Sequence, residues 1–252
     1  MDLGLTGRVF LVTGGSRGLG RATAEVLVAE GARVVLSGRH ELSIRAAADA
    51  LGTDRAIGLV LDNSDPRAPE RLIATAVAKF GRIDGALISV GGPPAAASSQ
   101  VEDEQWRDAF NTIFLGTVRL ARGVAAAVSA DGSLAFVLST SAKAPIPNLG
   151  ISNGLRPGLA MIAKEMALEF GPRGMRVNAL LPGRIDTDRI RQLDAETPDP
   201  VASARRAIAG IPLGRAGRPE EFGRVAAFLL SPAASYLSGV MLQVDGGSMR
   251  AL

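Results

Sequence analysis

The chain has 252 residues and a formal net charge of +3 with scattered charges, and its longest basic grouping, Arg205-Arg206, is too short to indicate a nucleic-acid-binding protein. It contains no cysteine and a single histidine, His40, which excludes disulfides, thiol catalysis and a multi-histidine metal site. No stretch reaches the roughly 18 unbroken apolar residues of a membrane span. We therefore expect a cytoplasmic protein that binds small molecules and neither nucleic acid nor a membrane.

The first predicted unit is a strand, a glycine-rich turn, a helix and a second strand. The apolar run Val9–Thr13 predicts the first strand, Thr13–Gly20 the turn, Gly18–Glu30 an amphipathic helix, and Arg33–Ser37 the second strand. Glycine permits positive φ and close backbone approach, so backbone N–H groups and the helix N-terminus can face a pyrophosphate. This order of elements predicts a nucleotide-binding site.

Apolar runs and helical patterns alternate along the rest of the chain. Strands that are apolar throughout are typical of a parallel sheet covered on both faces. The alternation predicts a single α/β domain over 1–252, with a doubly wound Rossmann-type parallel sheet of about seven strands and helices on both faces. The further predicted strands are Ala56–Leu61, Gly85–Val90, Ser133–Ser139, Arg176–Leu181 and Val240–Val244. The further predicted helices are Glu41–Leu51, Pro66–Phe80, Glu104–Val128, one ending near Phe170, and Pro219–Leu230.

The least patterned segment lies at about 186–218. It is long and polar, and prolines and a glycine interrupt it. A segment of this kind beside a ligand crevice is often a lid. We therefore predict a substrate lid here, with an ordinary connection as the alternative.

Further motifs are distributed along the chain. They are the Thr13–Gly20 turn, Asp62-Asn63 after the third strand, Asn111 in a long helix, Ser139 at the end of the fifth strand, Arg176-Val177-Asn178, Pro182-Gly183 with Thr187, and Leu237-Ser238-Gly239 with Val244-Asp245-Gly246-Gly247. Together these motifs resemble the short-chain dehydrogenase/reductase family over roughly residues 5–248. The resemblance implies a Rossmann-type sheet, a nicotinamide cofactor and a homo-oligomer, either a tetramer or a dimer.

The end of the second predicted strand bears on the choice of cofactor. Enzymes that prefer NAD usually end this strand with an acid that bonds the ribose 2′-hydroxyl and repels a 2′-phosphate. Here the strand ends Ser37-Gly38-Arg39, without an acid, and Arg17 lies in the glycine-rich turn. Because guanidinium pairs bidentately with phosphate, we predict NADP(H) in preference to NAD(H). The alternative is that both arginines are solvated surface charges.

The resemblance also implies which residues bind the cofactor. Asp62 would touch the adenine, Gly91 would lie along the ribose, and Ile185 and Thr187 would meet the carboxamide end. The complete implied set is Gly14, Ser16, Arg17, Gly18, Leu19, Gly20, Arg39, Asp62, Asn63, Gly91, Pro182, Gly183, Ile185 and Thr187.

The catalytic part of the family pattern is changed. The family requires Tyr-x-x-x-Lys thirteen residues beyond the serine, and counting from Ser139 gives Ser152 and Arg156 instead. The only tyrosine, Tyr236, matches a structural part of the pattern. A serine hydroxyl is a far weaker acid than a phenol of pKa about 10, and arginine cannot join a proton relay as lysine does. Arg156 can still stabilise an alkoxide or bind a substrate carboxylate.

Pro157 leaves two alternatives for the backbone around these residues. Proline disfavours a helical residue before it and fits best at the first helical position. The helix therefore begins near Pro157, with Gly154 in a loop, or it begins earlier and is kinked. In the first case Ser152 and Arg156 do not lie one turn apart on a helix.

The loop after the fourth strand also departs from the family pattern. It reads Ser89-Val90-Gly91-Gly92 where the family usually shows Asn-Asn-Ala-Gly, and Pro93-Pro94 follow. We expect a stiff, extended loop at the nicotinamide end of the site.

Three more residues complete the candidate catalytic set. By resemblance, Ser139 would hold the substrate carbonyl and Asn111 would take part in a water relay. Lys143, four residues beyond Ser139, is a candidate proton donor, although a solvated loop lysine is the plainer interpretation.

The leading hypothesis is an NADP(H)-dependent oxidoreductase that reduces a carbonyl, such as a keto or 3-oxoacyl compound. The substrate would be a small carbonyl compound or alcohol, and Lys143, Ser152 or water would be the proton source. The alternatives are a module that binds NADP(H) without catalysis and reports ligand state to a partner, and a non-redox reaction in the same pocket.

Overall fold

A computed structural model describes residues 1–128 and 131–250. In this part of the chain, seven strands form one sheet in the order β3-β2-β1-β4-β5-β6-β7, and every neighbouring pair is parallel. The strands are β1 (Val9–Val12), β2 (Arg33–Gly38), β3 (Ala56–Val60), β4 (Gly85–Ser89), β5 (Ser133–Val137), β6 (Arg176–Pro182) and β7 (Met241–Val244). The α-helices are α1 (Gly18–Ala29), α2 (Glu41–Asp49), α3 (Ala68–Phe80), α4 (Asp103–Ala109), α5 (Gly116–Ala127), α6 (Gly150–Phe170), α7 (Asp188–Ala195), α8 (Pro200–Ala209) and α9 (Pro219–Leu230).

The core lies on both faces of this sheet. Val9 and Leu11 of β1 belong to a cluster with residues of α3, α5 and α6, whereas Phe10 and Val12 belong to a cluster with residues of α1, α2 and α9. Successive residues of a strand point to opposite faces, so helices on both sides require strands that are apolar throughout. The predicted Rossmann-type α/β fold is confirmed.

The order in which strands are added to the sheet reverses at β1. The chain passes from β1 through α1 to β2 on one side, while β4 pairs with β1 on the other side. In such open sheets, ligands bind in the crevice outside the carboxyl ends of the strands at this point. The glycine-rich turn after β1 lies at this crevice.

The predicted helix Glu104–Val128 is interrupted. Between α4 and α5, residues Phe110–Leu115 form a π-helical stretch, and the N–H of Gly116 bonds the carbonyl of Asn111. A π-helical turn inserts one residue and is frequent at functional sites. The prediction of one continuous α-helix over Glu104–Val128 was therefore wrong in this detail, because a π-helical stretch separates α4 from α5.

Helix α6 begins at Gly150 and continues through Pro157. The late start near Pro157 is therefore wrong, and the early start is confirmed. The buried residues of its first turns, among them Ile151, Leu155 and Leu159, pack into the core. Burial of this face outweighs the missing N–H of proline, because most helical stability in proteins comes from packing.

The segment at 186–218 contains α7 and α8, neither of which was predicted. Neither helix has a buried side chain, which is why their apolar pattern is too weak to detect in the sequence. Over the described ranges, no helix is both long and apolar enough to cross a bilayer. The same residues contain no group of three or more His, Asp or Glu side chains placed to bind a metal ion.

Candidate active site

The glycine-rich turn between β1 and α1 is closely packed. A Cβ on Gly20 would lie 2.4 Å from the carbonyl oxygen of Gly14, and a Cβ on Gly14 would lie 2.9 Å from the carbonyl oxygen of Ser89. Gly14 and Gly18 have φ of +61° and +57°. The Thr13 hydroxyl donates to the Ser89 carbonyl at 2.8 Å and accepts from the Ser89 N–H at 2.8 Å. These contacts fix the turn against the carboxyl end of β4.

The N-terminus of α1 is open to an anion. Arg17, at the N-cap position, has extended backbone, and neither it nor another described residue caps the first N–H groups with a side chain. The first turn carries no acid. Uncapped N–H groups and the positive end of the helix dipole favour a phosphate at this place. The turn therefore fits the pyrophosphate of a nicotinamide dinucleotide.

Arg17 and Arg39 each follow, in the sequence, one of the two residues that form a close contact between the turn and β2. A Cβ on Gly38 would be 3.3 Å from the Ser16 hydroxyl, so the end of β2 lies directly against the turn. Both arginines are exposed, and neither forms an ion pair within the described part of the chain. Leu19, the next residue of the predicted set, packs against the core beneath α1.

The loop after β3 is fixed next to the π-helical stretch. Asp62 accepts two hydrogen bonds on Oδ1, from the N–H and the hydroxyl of Ser64, each at 2.8 Å. A Cβ on Gly116 would lie 2.4 Å from the carbonyl oxygen of Asn63. The sequence reasoning missed Gly116, which allows this loop to approach the stretch that carries Asn111.

The loop after β4 meets the predicted lid. A Cβ on Gly91 would have no neighbour within 4 Å among the described residues, whereas one on Gly92 would be 3.0 Å from Nε of Arg189 in α7. Arg189 also donates to the carbonyl of Pro93, and burial lowers its pKa from the usual value. Arg189 was missed by the sequence reasoning, because only the tertiary structure brings α7 to this loop.

The connection from β6 to α7 approaches the turn. The N–H of Gly183, which follows Pro182, donates to the carbonyl of Val244 at 3.0 Å. Ile185 is buried, and Thr187 lies next to the turn, since a Cβ on Gly18 would be 3.7 Å from its Cγ2. The geometry thus brings Thr187, at the C-terminal end of the predicted cofactor-binding set, next to Gly18 of the glycine-rich turn.

Three serines cluster beyond the carboxyl end of β5. The half-buried Ser139 accepts the N–H of Ser141 on its Oγ at 3.1 Å. The hydroxyl of Ser141 lies 2.9 Å from the hydroxyl of Ser152, and both residues are buried. Ser141 was not predicted as a site residue, because a serine four positions beyond the end of β5 carries no distinctive pattern.

Arg156 lies one helical turn beyond Ser152 on the same buried face of α6. Its Nη1 donates to the carbonyl of Val137 at 2.9 Å, and the residue is 5% exposed. Burial lowers the pKa of Arg156 to about 10, so the guanidinium remains charged at neutral pH. The unbroken α6 is what places Ser152 and Arg156 together.

The remaining candidates lie around this cluster. Lys143 ends a short helical turn at Thr140–Ala142, and its side chain is exposed. Asn111 borders a hollow of about 370 Å³ with Trp106 and Leu155 among its lining residues. The structure thus brings Asn111 to the α6 side of the site and leaves Lys143 at its solvent-facing rim.

Known proteins resemble this chain over nearly its whole length. A family model described as Enoyl-(Acyl carrier protein) reductase matches residues 14–249. The 3-oxoacyl-[acyl-carrier-protein] reductase FabG of Salmonella typhimurium is 33% identical over 243 residues, covering 96% of this chain and 97% of that protein. The monensin polyketide synthase putative ketoacyl reductase of Streptomyces virginiae is 32% identical over 253 residues, with coverage of 96% and 97%.

Solved structures agree with this relationship. L-Sorbose reductase from Gluconobacter frateurii, crystallised with NADPH and L-sorbose, superposes with a TM-score of 0.90 at 28% identity and with full coverage of both chains. A short-chain dehydrogenase/reductase from Brucella melitensis superposes with a TM-score of 0.93, again at 28% identity and full coverage. The glycine turn, the sheet order and these matches establish that the chain belongs to the short-chain dehydrogenase/reductase family of oxidoreductases.

Proposed function

We propose that this chain is an NADP(H)-dependent oxidoreductase that reduces the carbonyl group of a keto or 3-oxoacyl compound to an alcohol. The observation that carries the proposal is that the uncapped N-terminus of α1 and the cluster of Ser139, Ser141 and Ser152 both follow carboxyl ends of strands at the same edge of the parallel sheet. The names of the ketoacyl reductases and of the NADPH-bound sorbose reductase support it.

Arg17 and Arg39 support NADP(H) as the cofactor. Both are exposed beside the phosphate turn, and β2 ends without an acid that would repel a 2′-phosphate. Guanidinium groups bind phosphate in preference to a hydroxyl. Asp62, Gly91 and the turn glycines are proposed to bind the remainder of the cofactor.

The cofactor, when bound, supplies the hydride, and a proton from the protein or water completes the alcohol. Ser139 is proposed to hold the carbonyl: its Oγ already accepts the N–H of Ser141, which leaves its own hydroxyl proton free to donate to the substrate oxygen. Asn111 is proposed to help order water at this end of the site.

The paired hydroxyls of Ser152 and Ser141 provide a route for the proton. A hydroxyl that gives its proton to the forming alkoxide regains one from the next hydroxyl of the chain, and water at the end of the chain supplies the proton that the reaction consumes, so neither serine has to ionise. Arg156 contributes a positive charge near the oxygen on which negative charge develops. Lys143 is kept as the alternative donor.

Three further properties are proposed from the family resemblance and the contacts of α7. The chain acts in the cytoplasm as a homo-oligomer, a dimer or a tetramer, and 1–252 forms one domain. The segment at 186–218 covers the site as a lid, which is supported by the hydrogen bond from Arg189 to the Pro93 carbonyl.

The function is tested by single-turnover oxidation of bound NADPH, followed at the nicotinamide absorbance, against keto acids, 3-oxoacyl thioesters, sugars with a ketone and quinones. We expect NADPH to bind, as measured by its fluorescence, and to be oxidised by at least one class. Tight binding without oxidation by any class would contradict the proposal and favour the alternative, a cofactor-binding module.

Two variants in the same experiment assign the proton donor. We expect Ser152→Ala to slow oxidation by about a hundredfold, the lower range of a lost general acid. Lys143→Met should change the rate little, because the lysine is exposed and makes no side-chain hydrogen bond within the described residues. The reverse pattern would assign the proton to Lys143.

The cofactor preference is tested by Arg39→Ala and Arg17→Ala. Each variant should weaken NADPH binding by about tenfold to a hundredfold, because one charge-assisted hydrogen bond contributes ~1.5–3 kcal/mol. NADH binding should be unchanged, and both affinities can be measured by fluorescence titration. Arg45→Ala is the control, since Arg45 is exposed on α2 and pairs with Glu41. An equal loss for both cofactors would contradict the phosphate contact.

A further inference from the structure

The first turn of α6 carries Ser152, a proposed proton donor, and the helix itself holds this turn weakly. Leu149 stands at the N-cap position, where an apolar side chain cannot cap the first N–H groups. Pro157 lies within the helix and has no N–H, so it cannot donate to the carbonyl of Asn153 four residues earlier. Each feature removes a hydrogen bond that helices commonly have at this place. The turn therefore depends on other segments for its position.

The side chain of Asn153 provides a two-point contact with such a segment. Its Oδ1 accepts the N–H of Ile146 at 2.9 Å, and its Nδ2 donates to the carbonyl of the same residue at 2.9 Å. Ile146 lies between Pro145 and Pro147, neither of which has an N–H. Asn153 is half-buried, so water competes less for these bonds than at an open surface. One amide thus pairs with both backbone groups of the residue at the centre of this proline-flanked segment.

Two further contacts reach the first turn from outside the helix. The N–H of Gly150 donates to the carbonyl of Ala96 at 2.9 Å. The hydroxyl of Ser152 lies 2.9 Å from that of Ser141, at the start of the loop that leads into α6. In the proposed reaction this pair exchanges donor and acceptor as a proton passes, so it cannot by itself keep the two oxygens at a fixed distance. The two bonds of Asn153 take no part in that exchange.

We infer that Asn153 is a positioning residue, which ties the loop after Ser141 to the first turn of α6 and thereby keeps Ser152 within hydrogen-bonding distance of Ser141. The role in proton transfer rests on the proposed function, whereas the tie itself does not. Two neutral hydrogen bonds correspond to about tenfold to a hundredfold in the equilibrium for local opening. Pro157 increases this dependence, because an N–H at that position would add a backbone bond to the same turn.

The absence of cysteine from the chain allows a direct test in the ligand-free protein. Ser152→Cys introduces a single thiol at a position that is 6% exposed, so its rate of reaction with the soluble reagent DTNB measures how often the turn opens. Addition of Asn153→Leu keeps the size of the side chain and removes both bonds. It should accelerate the reaction by about tenfold to a hundredfold. Thermal unfolding verifies that each variant is folded at the temperature of the reaction.

A substitution at Pro157 distinguishes this tie from a general loss of stability. Pro157→Ala supplies the N–H that can donate to the carbonyl of residue 153 and so restores a backbone bond to the first turn. In the Pro157→Ala background, Asn153→Leu should accelerate the thiol reaction by a few-fold at most. A merely structural loss elsewhere in the fold would not be reversed by a bond at this place.

Asn148→Gly is the matched control in the same loop. Asn148 is exposed, and its side chain makes no hydrogen bond to another residue in the described ranges. Its φ of +59° is one that glycine adopts readily, so the substitution introduces no backbone strain. Combined with Ser152→Cys, this variant should leave the thiol reaction slow. Equal acceleration by Asn148→Gly and Asn153→Leu would show general loosening of the loop and would overturn the inference.

The consequence for the reaction is measured in the chain with Ser152 unaltered, by single-turnover oxidation of NADPH at a saturating concentration of a reducible compound. Asn153→Leu should lower the rate constant by about tenfold, less than loss of the Ser152 hydroxyl, because the donor is still present. The affinity for NADPH should be unchanged, because the glycine-rich turn follows β1 and Asn153 lies on α6. Pro157→Ala should restore part of the rate.

The outcomes separate this inference from the proposed function. A thiol that reacts no faster after Asn153→Leu, or an acceleration that Pro157→Ala does not reverse, would overturn the inference. A faster thiol reaction with an unchanged rate of NADPH oxidation would overturn the positioning role and leave the oxidoreductase intact. If no compound oxidises NADPH, the reductase is contradicted, while acceleration of the thiol reaction and its reversal by Pro157→Ala would still support the tie between Asn153 and the loop.

Discussion

Replacing Gly20 by alanine is expected to weaken NADPH binding by more than about a hundredfold, or ~2.7 kcal/mol. The added Cβ would lie 2.4 Å from the carbonyl oxygen of Gly14 and 3.1 Å from that of Thr13, so the turn has to shift. A shift of this size moves the backbone N–H groups that face the phosphates and closes the approach to the N-terminus of α1. Fluorescence titration measures the affinity.

Gly171→Ala is the control for this substitution. A Cβ on Gly171 would have no neighbour within 4 Å among the described residues. Gly171 follows α6 and has ordinary helical backbone angles. This variant should bind NADPH normally. Circular dichroism and thermal unfolding of Gly20→Ala verify that the sheet is formed. A folded Gly20→Ala variant whose affinity changes only a few-fold would refute the role of the turn.

The second large effect is a gain of activity in the double variant Ser152→Tyr/Arg156→Lys. Because α6 is unbroken from Gly150, positions 152 and 156 lie one turn apart on one buried face, as the family's tyrosine and lysine require. A phenol is a much stronger acid than a serine hydroxyl, and a positioned general acid contributes about 10²–10⁴-fold in rate. We expect neutral ketones to be reduced faster by about this factor, measured as single-turnover oxidation of NADPH.

The matched control is Ser152→Phe/Arg156→Lys, which introduces the same ring without the hydroxyl. It should bind NADPH and remain slow, so the difference between the two double variants isolates the proton donor. If the tyrosine variant is folded and binds NADPH but is no faster than the phenylalanine variant, the geometry around position 152 does not serve proton transfer.

Some features of this protein follow from short stretches of sequence. Gly20 is required by local sterics, because a Cβ there would meet the carbonyl oxygens of Gly14 and Thr13, and positive φ favours glycine at positions 14 and 18. The apolar runs of the strands follow from burial on both faces of the sheet. These local requirements explain why the order of elements and the place of the turn could be predicted.

Other features depend on contacts between distant segments. The start of α6 was ambiguous, because the local preference of Pro157 opposes the burial of Ile151 and Leu155 against the core. The helices α7 and α8 were missed because neither buries a side chain. The interruption after α4 was missed because a π-helical turn adds a residue without changing the surrounding composition.

The candidate site likewise combines features that the sequence predicts with features that only the tertiary structure decides. The sequence by itself determined the fold class, the phosphate turn, the absence of an acid after β2 and the replacement of the family's tyrosine and lysine by Ser152 and Arg156. Only the tertiary structure decided that Ser152 contacts Ser141, that Arg156 bonds Val137, and that Arg189 reaches the loop after β4. The physical reason is that hydrogen-bond partners and burial depend on which strands and helices pack together, and this packing determines which charges remain open to a ligand.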